Sequence, residues 1–145
     1  MLRIIINPFS PVKLWDITAR DSQSRLKSVT ISYNRFIEKL RIYQEALELV
    51  SQIYLLTRKY PILTKDYSLC DQIRRAAISI VANIAEGYMR PQKQFKNYLK
   101  IASGSSNEVV ALLQVITTVY GIKTIQLQES FRTLGRKINA LSRTF

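Results

Sequence analysis

Between residues 95 and 119, apolar and small side chains recur at alternating steps of three and four: Phe95, Tyr98, Ala102, Ser105, Val109, Leu112, Ile116 and Val119. An α-helix gathers positions at that spacing onto one stripe, and no strand can. The spacing predicts a helix of about 30 residues, with Pro91 suited to its first turn and Gly121 to its stop. A rod of that length cannot bury its stripe alone, so the rest of the chain has to supply partners.

Three further helical segments carry the same signature. The first is expected from about Ile37 to Lys59, with Leu40, Tyr43, Leu47, Val50, Tyr54 and Thr57 on one face. Glu38 in its first turn and Arg58 and Lys59 in its last suit the helix dipole. Residues Tyr60 to Thr64 read as a connector, with Thr64 or Ser68 as the cap of a second helix that ends at Gly87. The fourth, about Ile125 to Ser142, lines up Leu127, Phe131, Leu134, Ile138 and Leu141, with Gly135 inside it as a weak point where its end would fray.

Short connections make neighbouring helices antiparallel, so the expected fold is all-α: an antiparallel up-down-up-down four-helix bundle over residues 37–145. Residues 1–36, with two prolines and no sustained period, are expected to form an extended, weakly ordered N-terminal arm, with IIIN as a possible short strand. The third helix should overhang the second by on the order of 15 Å. The second is apolar on more than one face, with Ile78 and Val81 turned away from Ile73 and Ile80. Both features call for cover by another subunit, and a homo-oligomer is expected.

Within the second helix, QIRRAAISIVANIAEG carries a polar stripe of Gln72, Arg75, Ser79, Asn83 and Glu86 beside apolar Ile73, Ala76, Ala77, Ile80 and Ile84. With the turn centred near residue 89, facing residues on the second and third helices should have numbers adding to about 178. That register sets Arg75 near Ser103 and Gln72 near Ser106 and Asn107, so Arg75 or Arg74 should pair with Glu108. Asn83 and Glu86 should bond toward the third helix or the 87–91 turn. Such a network acts as a register device. The alternative is that the stripe lines a channel or shallow site. Glu86 as a catalytic carboxylate lacks a second titrating group at matching spacing.

Composition narrows the function. Histidine is absent and Cys70 is the one cysteine, which leaves no His dyad, no thiolate metal cluster and no intrachain disulfide. No catalytic or metal site and no cofactor is expected, and Cys70 reads as a small core residue. The longest mostly apolar run, Val109 to Ile122, is interrupted by Gln114, Thr117, Thr118 and Gly121 and falls short of the ~20 residues a membrane span needs. No secretory signal is evident. A soluble, cytoplasmic protein without a membrane partner is expected.

The net charge is +12, with 22 Lys and Arg against 10 Asp and Glu. Residues 1–36 contribute 6 basic and 2 acidic groups, so the remaining 16 and 8 leave +8 on the helical part. Such a chain attracts polyanions, RNA or DNA among them, unless the charge serves solubility alone. Arg90, Lys93, Lys96 and Lys100 form one basic ridge at the start of the third helix. Arg132, Arg136, Lys137 and Arg143 form a second on the fourth. Neither is a base-reading motif, so contacts would fall on phosphates. A protein-binding adaptor is the competing reading.

The run QIRRAAISIVANIAEG, followed by Arg90, Phe95, Leu99 and IASGSSNE, and preceded by YQEALELVSQIYLLTRKYP, resembles a known family. It is similar to the 23S rRNA intervening sequence proteins, small ribosomal-protein-like four-helix bundles encoded within bacterial large-subunit rRNA genes. The resemblance covers about residues 38 to 142. It implies a bundle, a pentamer and a nucleic-acid role, and no known activity. A distant relative, the accessory protein of diversity-generating retroelements, implies a barrel-like pentamer that binds nucleic acid and a reverse transcriptase. The 36-residue N-terminal arm departs from the family, whose members begin near the first helix.

Overall fold

The computed structural model describes Ile37 and residues 40–145. The expectations for residues 1–36, and for Glu38 in the first helical turn, lie outside the described residues. Among those described, the chain is all helical: α1 Arg41–Lys59, α2 Pro61–Thr64, α3 Tyr67–Tyr88, α4 Gln92–Tyr120 and α5 Ile125–Ser142. The expected connector is thus a helical turn of its own, started by Pro61, whose fixed φ and missing N–H suit a first helical position.

The long periodic segment forms α4, 29 residues closed by Gly121, whose φ of +66° opens the left-handed cap and sends its N–H to the Thr117 carbonyl at 2.9 Å. α4 packs between α3 and α5, while α1 lies against α3 and α5. Because two neighbours need cover, the buried face of α4 is wider than one stripe. Leu99, Ser103, Ser106, Val110 and Leu113 join the expected Phe95, Ala102, Ser105, Val109, Leu112 and Ile116. Val119, expected on that face, is 62% exposed.

Three cross-helix hydrogen bonds fix how α3 meets α4. Ser79 and Ser105 hydroxyls are 2.9 Å apart, Tyr98 donates to Glu86 Oε1 at 2.8 Å, and Tyr120 donates to Asp66 Oδ2 at 2.7 Å. The paired numbers add to 184, 184 and 186, so the two helices run in opposite directions but about six residues out of the expected register. The cause is local. α3 winds on to Tyr88, one residue past Gly87, and α4 makes a turn from Gln92 before Tyr98 comes level with Glu86, so the midpoint of the pairing falls at residue 92 and not 89.

The first-helix face also differs from expectation. Ile42, Ala46, Leu49, Ile53 and Thr57 are the buried set, while Leu47 is 46% exposed and Tyr43, Val50 and Tyr54 sit at the rim. Two apolar stripes at helical spacing compete here. The one without tyrosines goes inward, because a rim position leaves each phenol hydroxyl in water. The cap of α3 is Asp66, which accepts from Leu69 N at 3.0 Å, and not Thr64 or Ser68. Thr64 is engaged elsewhere, donating to the Tyr60 carbonyl at 2.9 Å.

Two glycines mark close approaches. A Cβ on Gly87 would overlap Tyr98 Cβ and stand 2.9 Å from Phe95 Cδ2, and one on Gly135 would stand 3.4 Å from Ser106 Oγ. Gly135 is therefore a crossing point where α5 lies close on α4, and α5 has the expected bounds, running through it to Ser142. Gly104 faces open space. Gly87→Ala should therefore destabilise by about 1–3 kcal/mol through overpacking, whereas Gly104→Ala should stabilise by about 0.5–1 kcal/mol through helix propensity. Urea denaturation of the two variants, showing shifts of opposite sign, checks the α3–α4 contact.

Candidate nucleic-acid interface

The polar stripe of α3 divides into a part that crosses to α4 and a part that does not. Ser79 meets Ser105, and Asn83 Nδ2 bonds the Ser79 carbonyl at 2.7 Å and its hydroxyl at 3.1 Å, so Asn83 reaches α4 only through Ser79. Glu86 accepts from Tyr98 of α4 and, at 3.3 Å, from Arg90 in the turn. Arg75 instead pairs with Asp71 one turn back at 2.7 Å, and Glu108 is exposed with no partner among the described residues. The expected Arg75–Glu108 pair is absent. The true register brings Arg75 level with Val109, beside Glu108, but both lie on the outer flank, where an ion pair contributes little. Gln72 is exposed.

Arg74, the other candidate partner, turns the opposite way. Its Nε and Nη2 donate to Thr57 Oγ1 of α1 at 2.9 and 2.7 Å, and its guanidinium lies 5.0 Å from the Tyr54 ring centroid. The sequence held one signal of this: Thr57 sits on the buried stripe of α1, and a buried hydroxyl in a helix has acceptor capacity left for a neighbouring cation.

Of the basic residues, Lys93 and Lys100 are exposed and Lys96 half-buried. No carboxylate pairs with any of the three among the described residues. The chain has no acidic residue between Glu86 and Glu108. Arg90 is the exception in that ridge, shared with Glu86.

The second ridge splits. Lys137 reaches across to both carboxylate oxygens of Glu45 on α1 at 2.8 Å, which removes it from any common face with the other three. Arg132 is paired with Glu129 and approaches Gln128 Oε1 at 3.5 Å. Arg136 donates to Thr133 and is exposed, as is Arg143.

The α4–α5 crossing brings the remaining cations of both ridges to one groove. Ser106 Oγ donates to the Phe131 carbonyl at 2.7 Å, and Ser103 and Ser106 face Gly135. Lys96 lies seven residues before Ser103 and so on the same flank of α4, with Lys100 between them. On α5, Arg132 follows Gln128 by four, Arg136 follows Arg132 by four, and Arg143 follows Arg136 by seven, all on the flank next to α4. Lys93, Lys96, Lys100, Arg136 and Arg143 thus border a single α4–α5 face.

The titrating groups are tuned by hydrogen bonds. The Tyr98 hydroxyl, and then Arg90, hold the Glu86 carboxyl below its ordinary value, and Tyr120 and the Leu69 amide do the same for Asp66. The same bonds raise both tyrosines, led by the carboxylate each one serves. Burial raises the Cys70 thiol, which donates to the Leu63 carbonyl at 3.2 Å. A raised thiol inside the core is a poor nucleophile. Among the described residues, Glu86 accepts hydrogen bonds from two donors, Tyr98 and Arg90, and no second carboxylate is bonded to it.

Residues 38–144 match the family model described as 23S rRNA-intervening sequence protein. A solved structure, a protein of unknown function from the S23 ribosomal protein family of Bacteroides thetaiotaomicron, superposes with a TM-score of 0.58 at 27% sequence identity. The match covers 71% of this chain and 95% of that one. No curated protein matches the chain. No helix among the described residues is long and apolar enough to cross a membrane.

Both lowered carboxyls make acid stability measurable at named bonds. Their stabilising effect is fully present above the ordinary carboxylate pKa and is lost as pH falls through the lowered folded-state values. Tyr98→Phe and Tyr120→Phe together should flatten the fall in denaturation midpoint between about pH 6 and 2. An acid limb identical to that of the parent chain would show that these bonds do not form in solution.

Proposed function

Because the chain belongs to the 23S rRNA-intervening sequence protein family, we propose that it is a non-enzymatic, cytoplasmic, homo-oligomeric scaffold that associates with RNA or DNA through the α4–α5 face. The observation that carries this reading is the row Lys93, Lys96 and Lys100, unpaired with any carboxylate among the described residues and continued across the groove by Arg136 and Arg143. A row of exposed ammonium groups without carboxylates retains its counterions in the free protein and releases them to a phosphate backbone, which is the main source of sequence-independent affinity. Arg132, Arg90 and Lys137 contribute less, since each already serves a glutamate.

The helices are read as an up-down-up-down four-helix bundle formed by residues 37–145. In support, α3 opposes α4 and α4 opposes α5 through bonds whose residue numbers rise on one helix as they fall on the other. α4 exceeds α3 by seven residues, 29 against 22, but the Tyr120–Asp66 bond brings its last residue level with the start of α3, so the expected overhang at that end is not present. Val115 and Val119 near its C-terminal end, with Ile78 and Ile101 further along the α3–α4 side, leave apolar surface for a second copy. Five subunits are what the family resemblance implies, and repetition of a weak phosphate-binding face around a ring multiplies its affinity. Ser79, Asn83 and Glu86 serve as the register device of the α3–α4 seam, and exposed Gln72 does not take part. The second reading, a protein-binding adaptor, draws on the same exposed valines and isoleucines.

Titration of labelled single-stranded RNA and DNA at low and moderate salt, with light scattering of the same samples, tests both parts. Binding should weaken steeply with salt. The triple variant Lys93→Ala, Lys96→Ala, Lys100→Ala should reduce the magnitude of the log–log salt slope by about 2–3. Absence of binding at low salt leaves the adaptor, and a monomeric mass at micromolar concentration removes the oligomer.

A further inference from the structure

On the side of the helical body away from the α4–α5 face, the groove between α1 and α3 holds a second cationic group of a different kind. Arg74 is half-buried and fixed at three points: Nε and Nη2 on Thr57 Oγ1, and its plane near Tyr54. Thr57 is itself fully buried and anchored by donating to the Tyr54 carbonyl at 3.2 Å. Arg58 lies 5.6 Å from the centroid of the same Tyr54 ring. Two guanidinium groups therefore share one aromatic ring, their central carbons no more than about 11 Å apart by the two centroid distances.

Neither arginine has a carboxylate partner among the described residues. The acids nearest in sequence are occupied: Asp66 by the Leu69 amide and Tyr120, and Asp71 by Arg75. A half-buried guanidinium held without a carboxylate is costly for the fold, since burial removes hydration that no ion pair restores. Of its five N–H donors, Arg74 spends two on Thr57, which leaves the Nη1–Nη2 edge with three. That fork is the geometry that takes two oxygens of a tetrahedral oxyanion. Arg58, exposed at the rim, adds a movable second cation.

We propose that Arg74 and Arg58, organised by Thr57 and Tyr54, form a phosphate-binding site in the α1–α3 groove. The ligand is a phosphate group, either free or carried on a nucleic-acid backbone. The site differs from the lysine row: Arg74 is preorganised, so binding there depends on the orientation of the fork, while the lysines act as mobile point charges.

Nitrogen-resolved NMR of arginine side chains provides the test on the full chain. In one arm inorganic phosphate is titrated against sodium chloride of equal ionic strength, and in another a short single-stranded RNA is added. The Arg74 Nε–H signal, distinctive because of its bond to Thr57, should move saturably with phosphate and not with chloride. Movement with RNA as well extends the site to backbone phosphates, and movement with RNA alone assigns it to them. Arg58→Ala, a change at an exposed position, should weaken the phosphate response about tenfold. Arg75→Ala removes one equal charge from the outer flank of α3 and should leave the response unchanged. A signal unmoved by either ligand, an equal response to chloride, or equal weakening in both variants overturns the site. The lysine triple variant should leave the phosphate response intact, so loss of RNA binding there and loss of the phosphate response here are separate failures.

Discussion

The packing of this protein depends on how closely α3 and α5 approach the middle of α4. Ser103, Ser105 and Ser106 are buried there, and each replaces what in an ordinary bundle would be a leucine or valine. Small side chains let the facing helices come near enough for Ser79 to meet Ser105 and for Ser106 to donate to the Phe131 carbonyl. Those hydrogen bonds each contribute only about 1 kcal/mol net. Their larger consequence is that Leu99, Leu113, Phe131 and Ile138 become fully buried around them, each by about 1.5–3 kcal/mol. The hydroxyls set the register, and the apolar neighbours supply most of the driving force.

Close packing through small residues has an effect on the surface. Among the described residues no charged side chain is buried, and no buried side-chain polar atom lacks a hydrogen-bond partner. The cations are thereby displaced to the flanks of α4 and α5 and to the α1–α3 groove. Their sorting follows from which carboxylates lie within reach. Glu45, Glu86 and Glu129 neutralise Lys137, Arg90 and Arg132, while the acid-free stretch from Gly87 to Asn107 leaves its lysines unopposed.

Helix identity and extent were legible in the sequence because periodicity, Pro91 and Gly121 all act within a few residues of where they stand. Relations between helices were less so. The α3–α4 register differed by about six residues because the pairing depends on how far α3 continues past Gly87 and on how much of α4 winds before Tyr98 meets Glu86. The α1 face was misplaced because two stripes satisfy the same spacing. The cap fell to Asp66 because its carboxylate also serves Tyr120, a residue 54 positions away that no local pattern reveals. For the same reason Arg74, adjacent in sequence to the solvent-facing Arg75, belongs to a different groove. A helix turns about 100° per residue, and each of the two neighbours answers to a different partner. The two basic ridges were visible as composition, while their meeting at one groove, and the loss of Lys137 from it, required the α4–α5 crossing at Gly135.

Residue-resolved amide hydrogen exchange tests the central role of the serine-lined middle of α4 most directly. If the close approach there holds the helices together, the amides from Ala102 to Leu113 should exchange only through global unfolding and be the most protected in the chain. Exchange of those amides ahead of the buried stretch of α1, Ile42 to Ile53, would contradict it, because α4 would then open while its supposed dependents remained folded.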